Sequence, residues 1–242
     1  MTTREATSPL PRADGFPVSP SDRLMVLAFA PLQAPWLLKS LWGGLKRDKR
    51  RLLARLDLPA NALPNLGSWK ADTGFLHAIV DAIDTQHPQQ VVELGAGASS
   101  LVIAQALQRA GGGRLSSYDQ HEDFAHAVGT WLGEHNLSAE VRHAPLGTPP
   151  CDWPGRWYGL RAVPDRIDML VIDGPQWSLH PFVRGAAEVL FGRIPVGGMI
   201  MLDDAARPGE RIVARRWRRD WPNFDWTFRS GIKGTLTGVR RV

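Results

Sequence analysis

The sequence has one cysteine, Cys151, in 242 residues. A lone cysteine cannot close an intramolecular disulfide or furnish a structural zinc site, so a reducing, cytoplasmic setting is the simplest expectation. Long apolar runs are also missing. The uncharged stretch between Arg23 and Lys39 is fifteen residues long and contains Pro31 and Pro35, whereas a membrane-spanning helix needs roughly 20 apolar residues. The amino end carries Arg4, Arg12 and Arg23 among prolines and polar residues, with no apolar stretch leading to a small-residue cleavage site, and does not read as a secretory signal. No nucleic-acid-binding motif is present. The basic residues gather in two local clusters and not in a continuous stripe. The net charge of +5 and pI near 9.9 therefore imply weak attraction to acidic surfaces and no specific nucleic-acid binding.

What is present is ordinary for a folded chain: 43% hydrophobic and 22% charged residues support one large globular domain. Residues 1 to about 20 hold four prolines and read as a loose tail. An apolar segment, Leu24 to Leu45, follows, and after it come Lys46, Arg47, Lys49, Arg50, Arg51 and Arg55. Two readings stand for it. The preferred one is a pair of short helices packed on the following domain with the basic residues facing water. The other is an interfacial membrane anchor with a basic flank. The expected division is a tail and helical extension over residues 1–65 and the main domain over 66–242.

From residue 72 the pattern becomes regular. Phe75, Leu76, Ile79, Val80 and Ile83 share one face of a helix. Strands are expected at 91–94, 115–119, 140–143, 168–172 and 199–202, with helices at 99–108, 122–134 and 182–191 between them. Strands joined by helices imply a parallel sheet covered on both faces. Two final strand-like runs, 224–229 and 235–242, flank Ser230-Gly231-Ile232-Lys233-Gly234 and suggest an antiparallel closing hairpin.

The turn after the first strand reads Glu93-Leu94-Gly95-Ala96-Gly97-Ala98-Ser99-Ser100. A glycine-rich strand-to-helix turn lets a cofactor approach backbone amides closely. Ser100 stands where a dinucleotide-binding turn needs glycine or alanine, which disfavours a nicotinamide cofactor and with it an oxidoreductase. Glu93 ends an apolar strand, so its carboxylate must be hydrogen-bonded or solvated. Asp119 ends the second strand, 26 residues further on, where an acceptor pair can hold ribose hydroxyls. The bland reading of both acids is that they cap the helices that follow.

The run Val91 to Ser100, with Tyr118-Asp119, Val171-Ile172-Asp173-Gly174-Pro175 and Met201-Leu202-Asp203-Asp204-Ala205, resembles the class I methyltransferases. It is most similar to the bacterial group known as methyltransferase domain 24. The stretches Gly67 to Asp72 and Arg207 to Trp217 resemble the same group, so the likeness covers roughly residues 66–242. It implies a Rossmann-like α/β fold with a seven-stranded, mostly parallel sheet, and S-adenosylmethionine as methyl donor. Gly95, Ala96 and Gly97, with Ser99 and Ser100 completing the run, would line the methionine part, and Asp119 the ribose. Gln120, His143 and Ala144 would lie near adenine. There the chain departs from the group: His143-Ala144-Pro145 stands where many relatives carry an acid.

Ligands of open parallel sheets bind beyond the carboxyl ends of the strands, where Asp173, Asp203 and Asp204 fall. Three such acids suit a hard divalent cation, Mg²⁺ first, which would bind two acceptor oxygens and lower a hydroxyl pKa. A second reading stays open, in which Asp173 orients the substrate or the cofactor's amino group while Asp203 or Asp204 caps the next helix. His180 is a candidate general base. Arg211, Arg215, Arg218 and Arg219 recur at helical spacing, as on a solvated face. Trp69, Trp153, Trp157 and Trp177 are candidate walls of an acceptor pocket. The expected reaction is O-methylation of a small-molecule or glycan hydroxyl, with metal-independent transfer to oxygen or nitrogen, or cofactor binding without catalysis, as alternatives.

Overall fold

The computed structural model describes residues 19–242, so most of the expected loose tail lies outside the described residues. Helices α1 (Pro20–Ser40), α2 (Lys46–Arg55) and α3 (Thr73–Gln86) come first. The alternating core then runs β1 (Gln90–Leu94), α4 (Ala98–Arg109), β2 (Arg114–Asp119), α5 (Glu122–Glu134) and β3 (Glu140–His143). A two-stranded antiparallel ribbon, β4 (Leu146–Gly147) and β5 (Trp157–Tyr158), leads to β6 (Met169–Ile172) and β7 (Met199–Leu202). Helix α6 (Pro208–Asp220) precedes the hairpin β8 (Phe224–Arg229) and β9 (Thr235–Arg240).

The main sheet has seven strands in the order β3-β2-β1-β6-β7-β9-β8. The first five of these pair in parallel, and β9 inserts antiparallel between β7 and β8. Alternate residues of each strand face opposite sides, and both sides are apolar. Val91, Met169, Val171 and Met201 pack with α2, α3 and α4, while Val92, Leu94, Leu170, Ile172, Ile200 and Leu202 pack with Phe191, Val213 and Trp217. Chain order reverses between β1 and β6, and that reversal opens a crevice beyond the carboxyl ends of these two strands.

Three expectations need correction. The segment expected as a helix at 182–191 is a 3-10 stretch, Val183–Arg193. Gly185 and Gly192 lower α-helical propensity there, and a Cβ at Gly185 would meet the Trp153 ring at 2.3 Å, so tight packing fixes the local path. Trp153 and Trp157 are buried in the core and form no pocket wall. Finally, Leu24 to Ser40 lies within one 21-residue helix, α1, with Pro31 and Pro35 inside it, instead of forming a pair.

Helix α1 also distributes its side chains unexpectedly. Gln33 and Ser40 are buried, whereas Leu24, Leu27, Leu32 and Leu38 face outward. The helix touches the body through Phe29, which meets Phe182 edge to face at 5.1 Å. Helix α2 behaves as part of the core instead. Its Leu52 and Leu53, with Leu56, join the cluster that contains Val91, and Arg55 pairs with Asp81 and Asp84 of α3 at 2.7 and 2.8 Å. On α6, Val213 and Trp217 are buried while Arg211, Arg215, Arg218 and Arg219 are exposed, the solvated face that their spacing suggests.

Candidate active site

The glycine turn sits at the reversal point. Gly95 has a φ of 95°, a left-handed conformation that glycine adopts without cost. A Cβ there would meet the Gly174 nitrogen at 2.9 Å, so the backbones after β1 and β6 touch. Gly97 differs: a Cβ on it would meet nothing within 4 Å. Protein packing does not require a glycine at 97, and the space its missing side chain leaves is open to a ligand.

Glu93 lies under this turn with no exposed surface. Its Oε2 accepts from the hydroxyls of Ser100, at 2.5 Å, and Ser117, at 2.6 Å. Ser100 Oγ in turn accepts from the Gly97 amide at 2.9 Å. Burial pushes the Glu93 carboxyl up to about 7, against the opposing pull of the serine hydrogen bonds. Glu93 therefore braces the turn from below. Among the described residues nothing hydrogen-bonds its Oε1.

Asp119, nearly buried at the end of β2, accepts the His121 amide on Oδ1 at 2.9 Å. Its backbone oxygen accepts from the Ala144 amide at 2.7 Å, which joins the ends of β2 and β3. The His143 ring lies 3.1 Å from the Gln120 backbone oxygen, and Gln120 and Ala144 are buried beside it. The residues expected near ribose and adenine thus form one rim, over β2 and β3, next to the glycine turn. Gly95, the open side of Gly97 and the Asp119 rim stand side by side at the carboxyl ends of β1 and β2. Ala98, Ser99 and Ser100 open α4, with Gly97 as its N-cap.

On the other side of the reversal point, Asp173, Asp203 and Asp204 converge, each offering an oxygen within 4.8 Å of the others. Side chains that sequence reasoning missed meet them. Arg184 is buried and fans across the cluster: Nη2 lies 3.2 Å from Asp173 Oδ1, and Nη1 lies 3.1 Å from Asp204 Oδ2. It also donates to the backbone oxygens of Asp173 and Asp203 at 2.6 and 3.1 Å. Arg207 pairs with Asp204 and, at 3.1 Å, with Glu210. Lys233, from the β8–β9 hairpin, places its Nζ 3.5 Å from Asp204 and 3.7 Å from Asp203, and donates to Lys70 O at 2.9 Å. The Lys233 amide donates to Asp72, whose other oxygen caps α3 through Phe75 N. The 67–72 segment, the hairpin and the acids therefore close on one another.

The charges adjust accordingly. Burial pushes the Asp173 carboxyl up to about 6, although Arg184 and Lys233 pull it down. Burial acts on Asp204 in the same direction, but Arg207, Lys233 and Arg184 hold it well below the usual carboxylate range. Asp203 is raised by burial and by the neighbouring Asp204 charge. Lys233 stays charged because the acids outweigh its burial.

A divalent cation fits this arrangement poorly. Mg²⁺ demands a near-octahedral shell of oxygens at about 2.0–2.1 Å. Asp204 already faces three internal cations, Asp173 shares Arg184, and a metal would stand beside the Lys233 ammonium. Only Asp203 keeps both oxygens free of hydrogen bonds among the described residues.

His180 is not part of this group. It is buried beside Phe182 and under Gly155, its Nδ1 accepts from the Phe182 amide at 3.1 Å, and burial lowers its pKa. The signals for the missed cations were slight: Arg184 interrupts an apolar run, Arg207 and Glu210 stand three apart, and Lys233 sits in a turn. A surface cavity of about 900 Å³ lies at the opposite end of the sheet, around Gln90, Arg114, Asp168 and Gly198. It is shallow and holds none of these groups.

Comparison with known proteins agrees with this geometry. Residues 92–205 match a family described as a methyltransferase domain. None of the curated proteins matches the sequence. Among solved structures, the chain is similar to an O-methyltransferase from Bacillus cereus in complex with S-adenosylhomocysteine (16% identity, 90% of this chain and 100% of that one, TM-score 0.55). It is also similar to an S-adenosylhomocysteine-bound methyltransferase from Podospora anserina (10% identity, 88% and 95%, TM-score 0.56). A third is an O-methyltransferase of tomaymycin synthesis from Streptomyces achromogenes, in complex with S-adenosylmethionine (15% identity, 89% and 98%, TM-score 0.52). At these identities the structural likeness speaks for the fold, and the matched segment spans the glycine turn and all three acids. Residues 92–205 thus resemble a methyltransferase domain, and the chain has the fold that these methyltransferase structures share.

Proposed function

We propose that the protein transfers a methyl group from S-adenosylmethionine to a hydroxyl oxygen of a small molecule or glycan, without a divalent metal. The open side of Gly97 at the sheet reversal carries the cofactor reading. That similar structures are O-methyltransferases supports oxygen as acceptor. When bound, the cofactor supplies an electrophilic methyl on a sulfonium. Gly95 and Gly97 admit its methionine end, Asp119 accepts from its ribose hydroxyls, and Gln120, His143 and Ala144 border its adenine.

The acids beyond β6 and β7 act with their built-in cations. Arg184 and Lys233 fix Asp173 and Asp203 in place, so the acceptor meets a preformed polar wall and little reorganisation is needed. Of the three acids only Asp173 is not buried, and a hydroxyl donating to its carboxylate would be oriented by it and would find its proton acceptor there. Trp69 is exposed, next to Lys70, whose backbone oxygen accepts from Lys233.

The test follows labelled methyl transfer from S-adenosylmethionine to phenolic and sugar hydroxyls, with and without EDTA. Transfer should be unchanged by EDTA, and Mn²⁺ should show no tight site by electron paramagnetic resonance. Removing the ammonium with Lys233→Met should create or strengthen Mn²⁺ binding. Turnover lost on chelation and restored by Mg²⁺ would defeat the metal-free reading and leave the cofactor reading standing.

A further inference from the structure

The outward face of α1 belongs neither to the core nor to the active site. Leu24, Leu27 and Leu38 are each 70% exposed, Leu32 is 57% exposed, and the strip continues through Leu41 and Trp42 at 63% and 55%. Positions 24, 28, 31, 35, 38 and 42 recur every three or four residues, so Leu24, Ala28, Pro31, Pro35 and Leu38 form one stripe on the helix and Trp42 extends it. An apolar strip of this length is not left in water without a reason. Among the described residues, no helix is long and apolar enough to cross a membrane.

Charge selects the occupant. Residues 19–55 contain eight lysines and arginines against two aspartates, while the rest of the chain has 21 basic against 22 acidic residues. The whole positive excess of the protein therefore lies in the segment that exposes the apolar strip. Lys46, Arg47, Arg50 and Arg51, all exposed, start directly after Leu45, and Arg23 and Lys39 are exposed on α1. Asp48 answers only locally, 3.6 Å from Arg47 and 3.9 Å from Arg51. A second copy seated on this face would bring two such cationic segments together in poor solvent, which like-charge repulsion opposes. An anionic lipid surface has the complementary charge and an apolar layer beneath it for the leucines.

We infer that α1 and the start of α2 form a peripheral docking surface for anionic membranes. Helix α1 lies in the interface with Leu24, Leu27 and Leu38 toward the acyl chains and the basic residues among the headgroups. Methyl transfer then takes place at a membrane surface, on an acceptor that is membrane-bound or reaches the lipid boundary.

Co-sedimentation of the full chain with vesicles tests this. Vesicles of phosphatidylcholine with about 30% phosphatidylglycerol should pellet the protein at roughly 0.15 M salt, and pure phosphatidylcholine should pellet far less. The triple variant Leu24→Ser, Leu27→Ser, Leu38→Ser should lower partitioning about tenfold or more, because it removes three apolar anchors. Lys46→Gln, Arg47→Gln, Arg50→Gln should do the same on anionic vesicles only. Both variants alter exposed side chains, so circular dichroism and S-adenosylhomocysteine binding should match the parent and report an intact fold. Parent protein left in the supernatant with anionic vesicles would overturn the inference. So would pelleting that the leucine variant retains, or a dimer in sedimentation velocity that this variant dissolves while vesicles bind nothing.

Discussion

Glu93 shows how one residue ties fold, pH and site together. Its carboxyl is sealed under the glycine turn and held by two serine hydroxyls, and burial raises its pKa from 4.5 to about 7. The folded state therefore holds the proton more tightly than the unfolded chain does. Its stabilising contribution is complete below about pH 4.5 and fades as pH rises through 7, by ~3 kcal/mol in all. Glu93→Gln keeps the shape and removes the titration. Between about pH 5 and 8, urea unfolding should show the parent losing stability relative to this variant. Parallel stability curves over that window would mean that Glu93 is ionised throughout and that the serines, not a proton, balance its burial. Glu93 was legible as a carboxylate that needs partners. Ser117, which supplies one of them, was not, because strand pairing of Glu93 with Ser117 is a property of sheet register that a single sequence does not reveal.

At the scale of elements, legibility followed the strength of the local pattern. β6, Met169–Ile172, is buried on both faces, and four consecutive apolar residues announce such a strand. The ribbon β4–β5 has two residues on each side and leaves no periodic trace. Helix α1 was read as packed because it is apolar, yet it is apolar on every side, and periodicity cannot say which side the body covers. α2 illustrates the reverse: rich in charge, it still anchors in the core through Leu52 and Leu53. The two helices should therefore respond differently to substitution. Leu52→Ala removes a side chain with no exposed surface and should cost about 2–5 kcal/mol in denaturant unfolding. Leu24→Ser, on the outward strip, should stay within about 0.5 kcal/mol of the parent. Comparable losses in both would show that α1 is as integral to the fold as α2.

Across the whole molecule, the site is assembled from distant segments, and that decides which parts of it the sequence discloses. The glycine turn and the acids stand at strand ends, positions that the alternation of strands and helices locates directly. The cations that neutralise the acids come from elsewhere. Arg184 lies in the 3-10 stretch and Lys233 in the closing hairpin, and only the completed sheet brings them to Asp204. A carboxylate cluster thus looks like a metal site in sequence and like an internal ion-pair network in three dimensions. The cofactor half yields the sharpest test of the whole assembly. S-adenosylhomocysteine at about a hundred times its dissociation constant should stabilise the folded chain by ~2.7 kcal/mol. For a domain of this size that is roughly 5–10 °C in Tm. Gly97 has an extended φ of 161° and no neighbour within reach of a Cβ, so Gly97→Val should leave the Tm of the free protein nearly unchanged. Its branched side chain would occupy the space assigned to the methionine end of the cofactor, and the ligand-induced shift should vanish. A variant that melts like the parent and is still stabilised to the same degree would place the cofactor elsewhere and remove the foundation of the assigned site.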